Sequence, residues 1–227
     1  MRESAKNFWA GVRAELPLLV GVGPFGMIYG VLALSAGLDP LSAQMMSSIV
    51  FAGSAQFITT QLYRELVPGL IIVLTIAVVN LRHTLYSASV APYLRDLSMR
   101  WKLLLSYLLT DEAYATTILH YEIEGESRQG HWFFLGAGLA LWTIWQASTA
   151  VGVLVGRTLP ESWPLDFALP ITFIALIMPS LKDRPALAAS LSAGVLALLA
   201  YALPYKLGLM LAGVVGILVG TILEGRR

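Results

Sequence analysis

The sequence predicts an all-α protein, a polytopic membrane helix bundle of about eight hydrophobic segments, some of them broken or re-entrant. Three observations carry that expectation. Of 227 residues, 57% are hydrophobic and only 13% charged, with a mean hydropathy of +0.72; a water-soluble domain of this size carries roughly twice that charged fraction. Apolar stretches near the ~20 residues needed to cross a bilayer recur along the whole chain. The links between them are short, with no room for a soluble domain, so residues 1–227 read as a single transmembrane domain.

The segments fall at 16–36, 41–62, 68–91, 103–119, 132–155, 165–181, 185–203 and 207–223. Ahead of the first, Arg2, Lys6 and Arg13 mimic the basic end of a signal peptide, but the apolar run from Leu16 is too long for one and reads as a retained helix. Within it, Gly21-Val-Gly-Pro-Phe-Gly26 is expected to unwind, because proline removes a helical donor and glycine permits unusual backbone. The alternative is close helix packing through Gly26-x-x-x-Gly30. Ala52-Gly-Ser-Ala55 interrupts the second segment in the same way, and Pro170 and Pro179 bracket the short sixth. The stretch from His120 to His131, acidic through Glu122, Glu124 and Glu126, reads as a solvated loop with both histidines at its edges. In the last segment Gly213, Gly216 and Gly220 form a small-residue face suited to close approach of a partner helix. The spread of Lys and Arg leaves the orientation open.

Composition also excludes. A net charge of +1 without a basic run gives no footprint for nucleic acid. Cysteine is absent, which rules out disulfides and thiol chemistry, and a lone His83 makes no metal site. No cofactor is expected. The surrounding lipid bilayer is the one medium the composition demands.

Four ionisable residues stand where lipid should forbid them: Arg82 and His83 in the third segment, Asp111 and Glu112 in the fourth. Intramembrane charge is costly and marks function by default. The polar link from Pro92 to Lys102 lies about ten residues after Arg82 and about nine before Asp111, so at ~1.5 Å per residue both sit ~15 Å deep and can face each other. Thr75, Arg82, Tyr86, Ser89 and Tyr93 make one helical stripe; Asn80, His83 and Ser87 make a second. Asp111 shares a stripe with Tyr107 and Tyr114, while Glu112 points elsewhere. One acid can neutralise Arg82, whose guanidinium stays charged at any working pH, and the other is then free to titrate. The bland reading is a structural ion pair locking two helices together. Gln56 and Gln146 suit helix–helix glue.

Gly23-Pro-Phe-Gly-Met-Ile-Tyr-Gly30, Phe51-Ala-Gly-Ser-Ala-Gln-Phe57, Val79-Asn-Leu-Arg-His-Thr-Leu-Tyr-Ser-Ala-Ser-Val-Ala-Pro92 and Leu109-Thr-Asp-Glu-Ala-Tyr114 together resemble the AzlC family of branched-chain amino-acid permeases. The likeness extends through Leu165-Asp-Phe-Ala-Leu-Pro170. The resemblance implies a multi-pass cell (inner or plasma) membrane transporter, not an enzyme. It would export leucine, isoleucine, valine and, as a further candidate, methionine, together with a small AzlD-type membrane subunit.

An amino-acid zwitterion needs a cation or helix N-terminus for its carboxylate, an acid or carbonyls for its ammonium, and an apolar pocket. Arg82, Asp111, Gly23, Gly53, Ser54, Gln56, Asn80 and Tyr86 are the candidate substrate residues, with Phe25, Met27, Phe51 and Phe57 as pocket walls. Glu112 and His83 are the candidates for ion or proton coupling. The competing classes are a structural or regulatory subunit with no substrate path of its own, an intramembrane serine hydrolase built on Ser54 and His83, and a channel, which would need rings of carbonyls or like charges.

Overall fold

A computed structural model of the chain describes residues 2–124, 129–158, 181, 183–203 and 207–225. These form two compact units, Met1–Trp163 and Pro164–Arg227. The first contains α1 (Arg2–Ser35), α2 (Pro40–Val50), α3 (Gly53–Arg64), α4 (Gly69–Val79), α5 (Leu81–Leu94), α6 (Met99–Tyr107), α7 (Asp111–Glu124) and α8 (Gly130–Gly156). The second contains α9 (Arg184–Leu199) and α10 (Leu207–Glu224). The expected sixth segment, with Pro170 and Pro179, lies outside the described residues, as does Glu126. Among the described residues three helices are long and apolar enough to cross a membrane: α1, the α4–α5 rod over Gly69–Leu94, and α8. Val20, Leu70, Leu85 and Leu154 are among the large apolar side chains they expose, as a surface solvated by lipid requires.

The spine of the first unit is the parallel pair α1 and α8. A Cβ on Gly11 would strike Phe133, one on Gly26 would strike Ser148, and one on Gly30 would stand 2.5 Å from the Thr149 carbonyl. From the other side, a Cβ on Gly152 would overlap the Met27 carbonyl. The backbones therefore touch, which small residues alone permit. The expected unwinding at Gly21–Gly26 does not occur: α1 runs unbroken through Pro17 and Pro24. Each proline forfeits one hydrogen bond, and the continuous seam with α8 holds the helix through the loss. The helix that carries the first apolar segment begins well ahead of Leu16, at Arg2.

The second and fourth segments are hairpins of half-helices. In α6 the Trp101 ring meets Trp132 at 5.0 Å and Leu108 packs on Gly138, so α6 runs with α8. The chain turns at Leu108–Thr110 and α7 runs back, with His120 stacked on Phe133 at 3.8 Å and Tyr121 against Gly130. Both arms end beside the start of α8. His120 and His131 thus lie inside helices and pack on aromatic rings, not at the edges of a solvated loop; the acidic stretch is helical as far as Glu124.

The other hairpin comes from the opposite end. Phe51, in left-handed backbone at φ 40, ψ 47, ends α2, and extended Ala52 starts α3. A bulky residue in that region costs ~1–2 kcal/mol, and burial of the Phe51 ring to 4% exposure offsets it. Ser54 meets Arg82, yet only residues 65–68 join α3 to α4. So short a link forces α3 to run opposite to the α4–α5 rod and to return to the end of α1 from which α2 departed. The interruption expected at Ala52–Ala55 is therefore present, and it makes the second segment re-entrant. The tips of the two hairpins meet. Phe51 and Tyr107 rings lie 5.9 Å apart, the Tyr107 hydroxyl donates to the Ser48 carbonyl, and Trp142 Nε1 donates to that hydroxyl at 2.7 Å.

In the second unit α9 and α10 pack antiparallel. A Cβ on Gly216 would lie 2.9 Å from Ala193 Cβ and one on Gly220 3.2 Å from Ala189 Cβ. Gly216 and Gly220 of the small-residue face are thus engaged by α9, while Gly213 faces open space and all three glycines line a groove of about 550 Å³ beside Ala189 and Ala193.

Candidate functional site

The junction of the hairpin tips collects the intramembrane charge. Arg82 stands in the first turn of α5, just past the kink at Asn80 that divides the rod. Asp111 is the first residue of α7 and Ser54 the second of α3. Arg82 Nη1 donates to Asp111 Oδ2, and Nη2 donates to Ser54 Oγ at 2.6 Å. One guanidinium therefore ties the rod to both tips. The pair is incomplete: Arg82 Nε and Asp111 Oδ1 are both buried without a hydrogen-bond partner. The side chains that carry them keep 28% and 40% of their surface accessible, so the cluster is not sealed.

Around this core, Tyr86 lies beside Asp111 and stacks on Tyr114 at 4.5 Å, while Tyr93 stacks on Tyr121 at 4.7 Å. These stacks and the bond from Tyr114 Oη to Ser89 Oγ at 3.0 Å hold α5 and α7 in parallel register. His83 packs edge-on to Tyr86, and its Nδ1 lies 3.3 Å from the Asn80 carbonyl; Asn80 Oδ1 is buried and unpartnered. Gly53 lets the α3 terminus approach Trp145, where a Cβ would come within 3.1 Å of the indole. Ser54, bonded to Arg82, makes no hydrogen bond to His83, so no nucleophile–base pair forms there.

Two candidates stand apart. Gln56 accepts from Trp145 Nε1 at 3.1 Å, inside an aromatic cluster in which Phe57 packs on Phe25 at 4.4 Å and on Tyr29 at 5.9 Å. Gly23 sits in unbroken helix with Ile144 as its neighbour and offers no free backbone group. Of the expected pocket walls, Phe51 and Phe57 are buried at 4% and 1% exposure, Phe25 packs on Phe57, and Met27 faces outward at 38% exposure. A largely apolar cavity lies between α5, α6 and α8. Its volume is about 380 Å³; Val90, Leu94, Leu105, Leu109 and Phe134 line it together with Ser87, Arg95 and Lys102. Leu109 precedes Asp111 by two residues, and Arg95 and Lys102 belong to the polar link between α5 and α6.

Sequence reasoning passed over Glu15. It immediately precedes the apolar run and counts there as a flank, yet it is wholly buried at 0% exposure in the body of α1. Gln44, Gln146, Ser47 and Thr149 form a further polar network, in which Gln44 donates to Gln146 at 2.9 Å and the two hydroxyls lie 3.0 Å apart; it ties α2 to α8. Among the described residues no group of His, Cys, Asp and Glu could hold a metal ion.

Opposed half-helix hairpins whose tips share a charged cluster, held on a rigid pair of long apolar helices, define a polytopic membrane protein with its polar chemistry buried among its helices. The chain belongs to the AzlC protein family, whose model matches residues 17–159, and it is a transport-related membrane protein. It is 31% identical to an uncharacterized membrane protein of Archaeoglobus fulgidus, over 84% of this chain and 83% of that one. It is 26% identical to the inner membrane protein YgaZ of Escherichia coli, over 80% and 76%, and 26% identical to the branched-chain amino acid transport protein AzlC of Bacillus subtilis, over 76% and 68%. No solved structure matches significantly.

Proposed function

We propose that this protein is the large subunit of a branched-chain amino-acid exporter of the cell membrane, acting with a small AzlD-type membrane subunit. One observation carries the reading. The Arg82–Asp111 pair keeps one buried donor, Arg82 Nε, and one buried acceptor, Asp111 Oδ1, unpartnered. An amino-acid zwitterion brings the complementary acceptor and donor, both carried on one carbon. Its carboxylate would take Arg82 and the Ser54 hydroxyl, near the amide-rich start of α3; its ammonium would take Asp111 with Tyr86 alongside. The cavity beside Leu109 and Ser87 has the volume and the largely apolar lining that a branched side chain requires. The printed name of the Bacillus subtilis relative agrees with that substrate class.

Glu112 is the proposed coupling residue, because Asp111 occupies the guanidinium and leaves the neighbouring acid free to exchange a proton. His83, half-buried next to Tyr86, is the second candidate. Gln56, Asn80 and Gly53 act as supports for the tips, and the groove along Gly213, Gly216 and Gly220 is a candidate face for the partner subunit. Leucine efflux from proteoliposomes, with and without the small subunit, tests the reading. The wild type is expected to exchange leucine and Asp111→Asn to lose exchange by about two orders of magnitude, the scale of losing a charge-assisted ligand. Unchanged leucine exchange in Asp111→Asn would overturn it.

A further inference from the structure

A second buried acid faces Glu112 across the seam between α1 and α7. Glu15 has 0% exposure, and the side chains beside it on α7 are Thr116 and Glu112. Neither of its carboxyl oxygens has a well-formed hydrogen bond, with the Thr116 hydroxyl near enough to supply one. Two carboxyls thus placed, in low dielectric and with the nearby guanidinium bound to Asp111, cannot both carry charge at modest cost.

Among the described residues the cation that acts on Glu112 is Arg82, whose guanidinium is already bound to Asp111 and Ser54, and the Asp111 carboxylate beside Glu112 adds a like charge. On α8 the titratable side chain is His131, packed against Trp101 near the far end; on α3, Tyr63 and Arg64 lie exposed at the last turn; α2 has no titratable side chain. Arg13, two residues from Glu15 on α1, points outward.

We propose that Glu15 and Glu112, whose α7 neighbour Thr116 lies one turn away on the same face, form a single proton site in which two carboxyls share one proton. The proposal deepens the transport reading and rests on it for the role of the proton. Uptake converts one carboxylate to a carboxylic acid, and release returns the proton to water on the other side; no bond other than O–H forms or breaks. Glu15 belongs to the rigid spine and Glu112 to the hairpin tip. Protonation would let the tip settle against α1, and loss of the proton would drive the two carboxylates apart, so the site links proton occupancy to the position of the tip that also holds Asp111.

The test labels the full-length protein in lipid vesicles with a hydrophobic carbodiimide, which reacts with protonated carboxyls in apolar surroundings, and maps the adducts by peptide mass spectrometry. In the wild type, adducts are expected on this pair at neutral pH. Glu15→Gln removes the like charge and the shared proton, so adduct at Glu112 should fall by about tenfold at that pH, as for a one-unit change in acidity. Glu112 labelling unaltered by Glu15→Gln between pH 5 and 9 would overturn the pair, as would wild-type protein that takes no label at either acid. A leucine-flux arm separates the two readings. With the label shifted, persistent accumulation of leucine by Glu15→Gln under an imposed pH gradient would overturn the coupling role. A wild type that shows the label shift but no leucine exchange would sink the transport reading and leave the proton pair standing.

Discussion

The α1–α8 seam and the junction of the hairpin tips are neighbours built on opposite terms. In the seam, glycines on both helices bring backbone against backbone and polar side chains return to their own helix, as Ser148 does to the Ile144 carbonyl at 2.7 Å, with Glu15 at its edge toward α7 the exception. At the tips, helices stop short, a guanidinium bridges three elements, and Arg82 Nε, Asp111 Oδ1 and Asn80 Oδ1 remain unpaired in the interior. Lipid offers neither region a hydrogen bond. The seam answers by satisfying itself, which makes it rigid; the tips hold polar capacity in reserve, which is tolerable only where a ligand, proton or water completes it. The contrast divides scaffold from working part within one unit.

Breaking the seam should have the largest effect. Gly152→Leu drives a side chain into the Met27 carbonyl, and backbone cannot give way as a flexible side chain does. The cost should reach or exceed the top of the ~1–3 kcal/mol range for overpacking, and detergent-solubilised protein should lose its monodisperse chromatographic peak. Gly23→Ala on the same helix is the control, because its nearest neighbour would be Ile144 Cγ2 at 3.9 Å; its melting temperature should hold or rise. Equal damage from both would show that the seam is not where the rigidity lies.

The second unit offers a seam of the same kind. Gly216→Leu would press on Ala193 Cβ and the Ala189 carbonyl, at 2.9 and 3.0 Å even for a methyl, and should cost ~1–3 kcal/mol in the protein without any partner. Proteolysis of the α9–α10 hairpin in intact protein measures this. A variant as resistant as the wild type would leave the glycine stripe only the role of a partner surface.

At the tips the expected effect is smaller, because the ion pair is partly accessible. Arg82→Gln should cost ~1–2 kcal/mol, below the ~3–5 for a fully buried pair, and adding Asp111→Asn should recover part of it by removing the orphaned charge. Thermal melts of the four proteins in the cycle decide. Strict additivity would mean that Arg82 stabilises the junction through Ser54 and not through Asp111.

How far these regions were legible follows from what each is made of. The pairing of Arg82 with an acid of the next segment could be read from matched distances to the Pro92–Lys102 link, because depth depends only on rise per residue. The tip at Ala52 announced itself through Gly53 and Ser54. The turn at Leu108–Thr110 did not: Leu108 and Leu109 continue the apolar run, and what ends α6 there is tertiary, Leu108 seated on Gly138 and the Tyr107 hydroxyl fixed between Ser48 and Trp142. The kink at Asn80 hid for the same reason. Stripes drawn through continuous helices therefore joined Tyr107 to Asp111 and Thr75 to Arg82 across interruptions. Gly21–Gly26 erred the other way, since glycine and proline look alike whether they unwind a helix or clear space for a neighbour. Glu15 escaped because hydropathy windows assign a charge at the edge of an apolar run to water, and only the packing of α7 over α1 takes it inside.

The smallest predicted effect lies at the aqueous root of the α2–α3 hairpin and sharpens the contrast by showing what ordinary capping does there. Asp39 caps α2, its Oδ1 accepting from the amides of Leu41 at 3.1 Å and Ser42 at 3.0 Å. The Ser42 hydroxyl, then these amides, hold the carboxyl below its ordinary value of 3.8. A group whose folded value is depressed stabilises the fold above the unfolded value and loses that contribution as pH falls through the folded one. Asp39→Ala should therefore fray the first turn of α2 at pH 7, raising hydrogen exchange at Ser42 and Ala43 while leaving the amides of α7 unchanged. The gap between variant and wild type should close as pH drops below about 4. A gap that stays constant with pH would mean that Asp39 acts through the shape of its side chain; a gap that spread to α7 would mean that the root and the tip of the hairpin move as one body, and that the division between capped arm and unsatisfied tip is drawn in the wrong place.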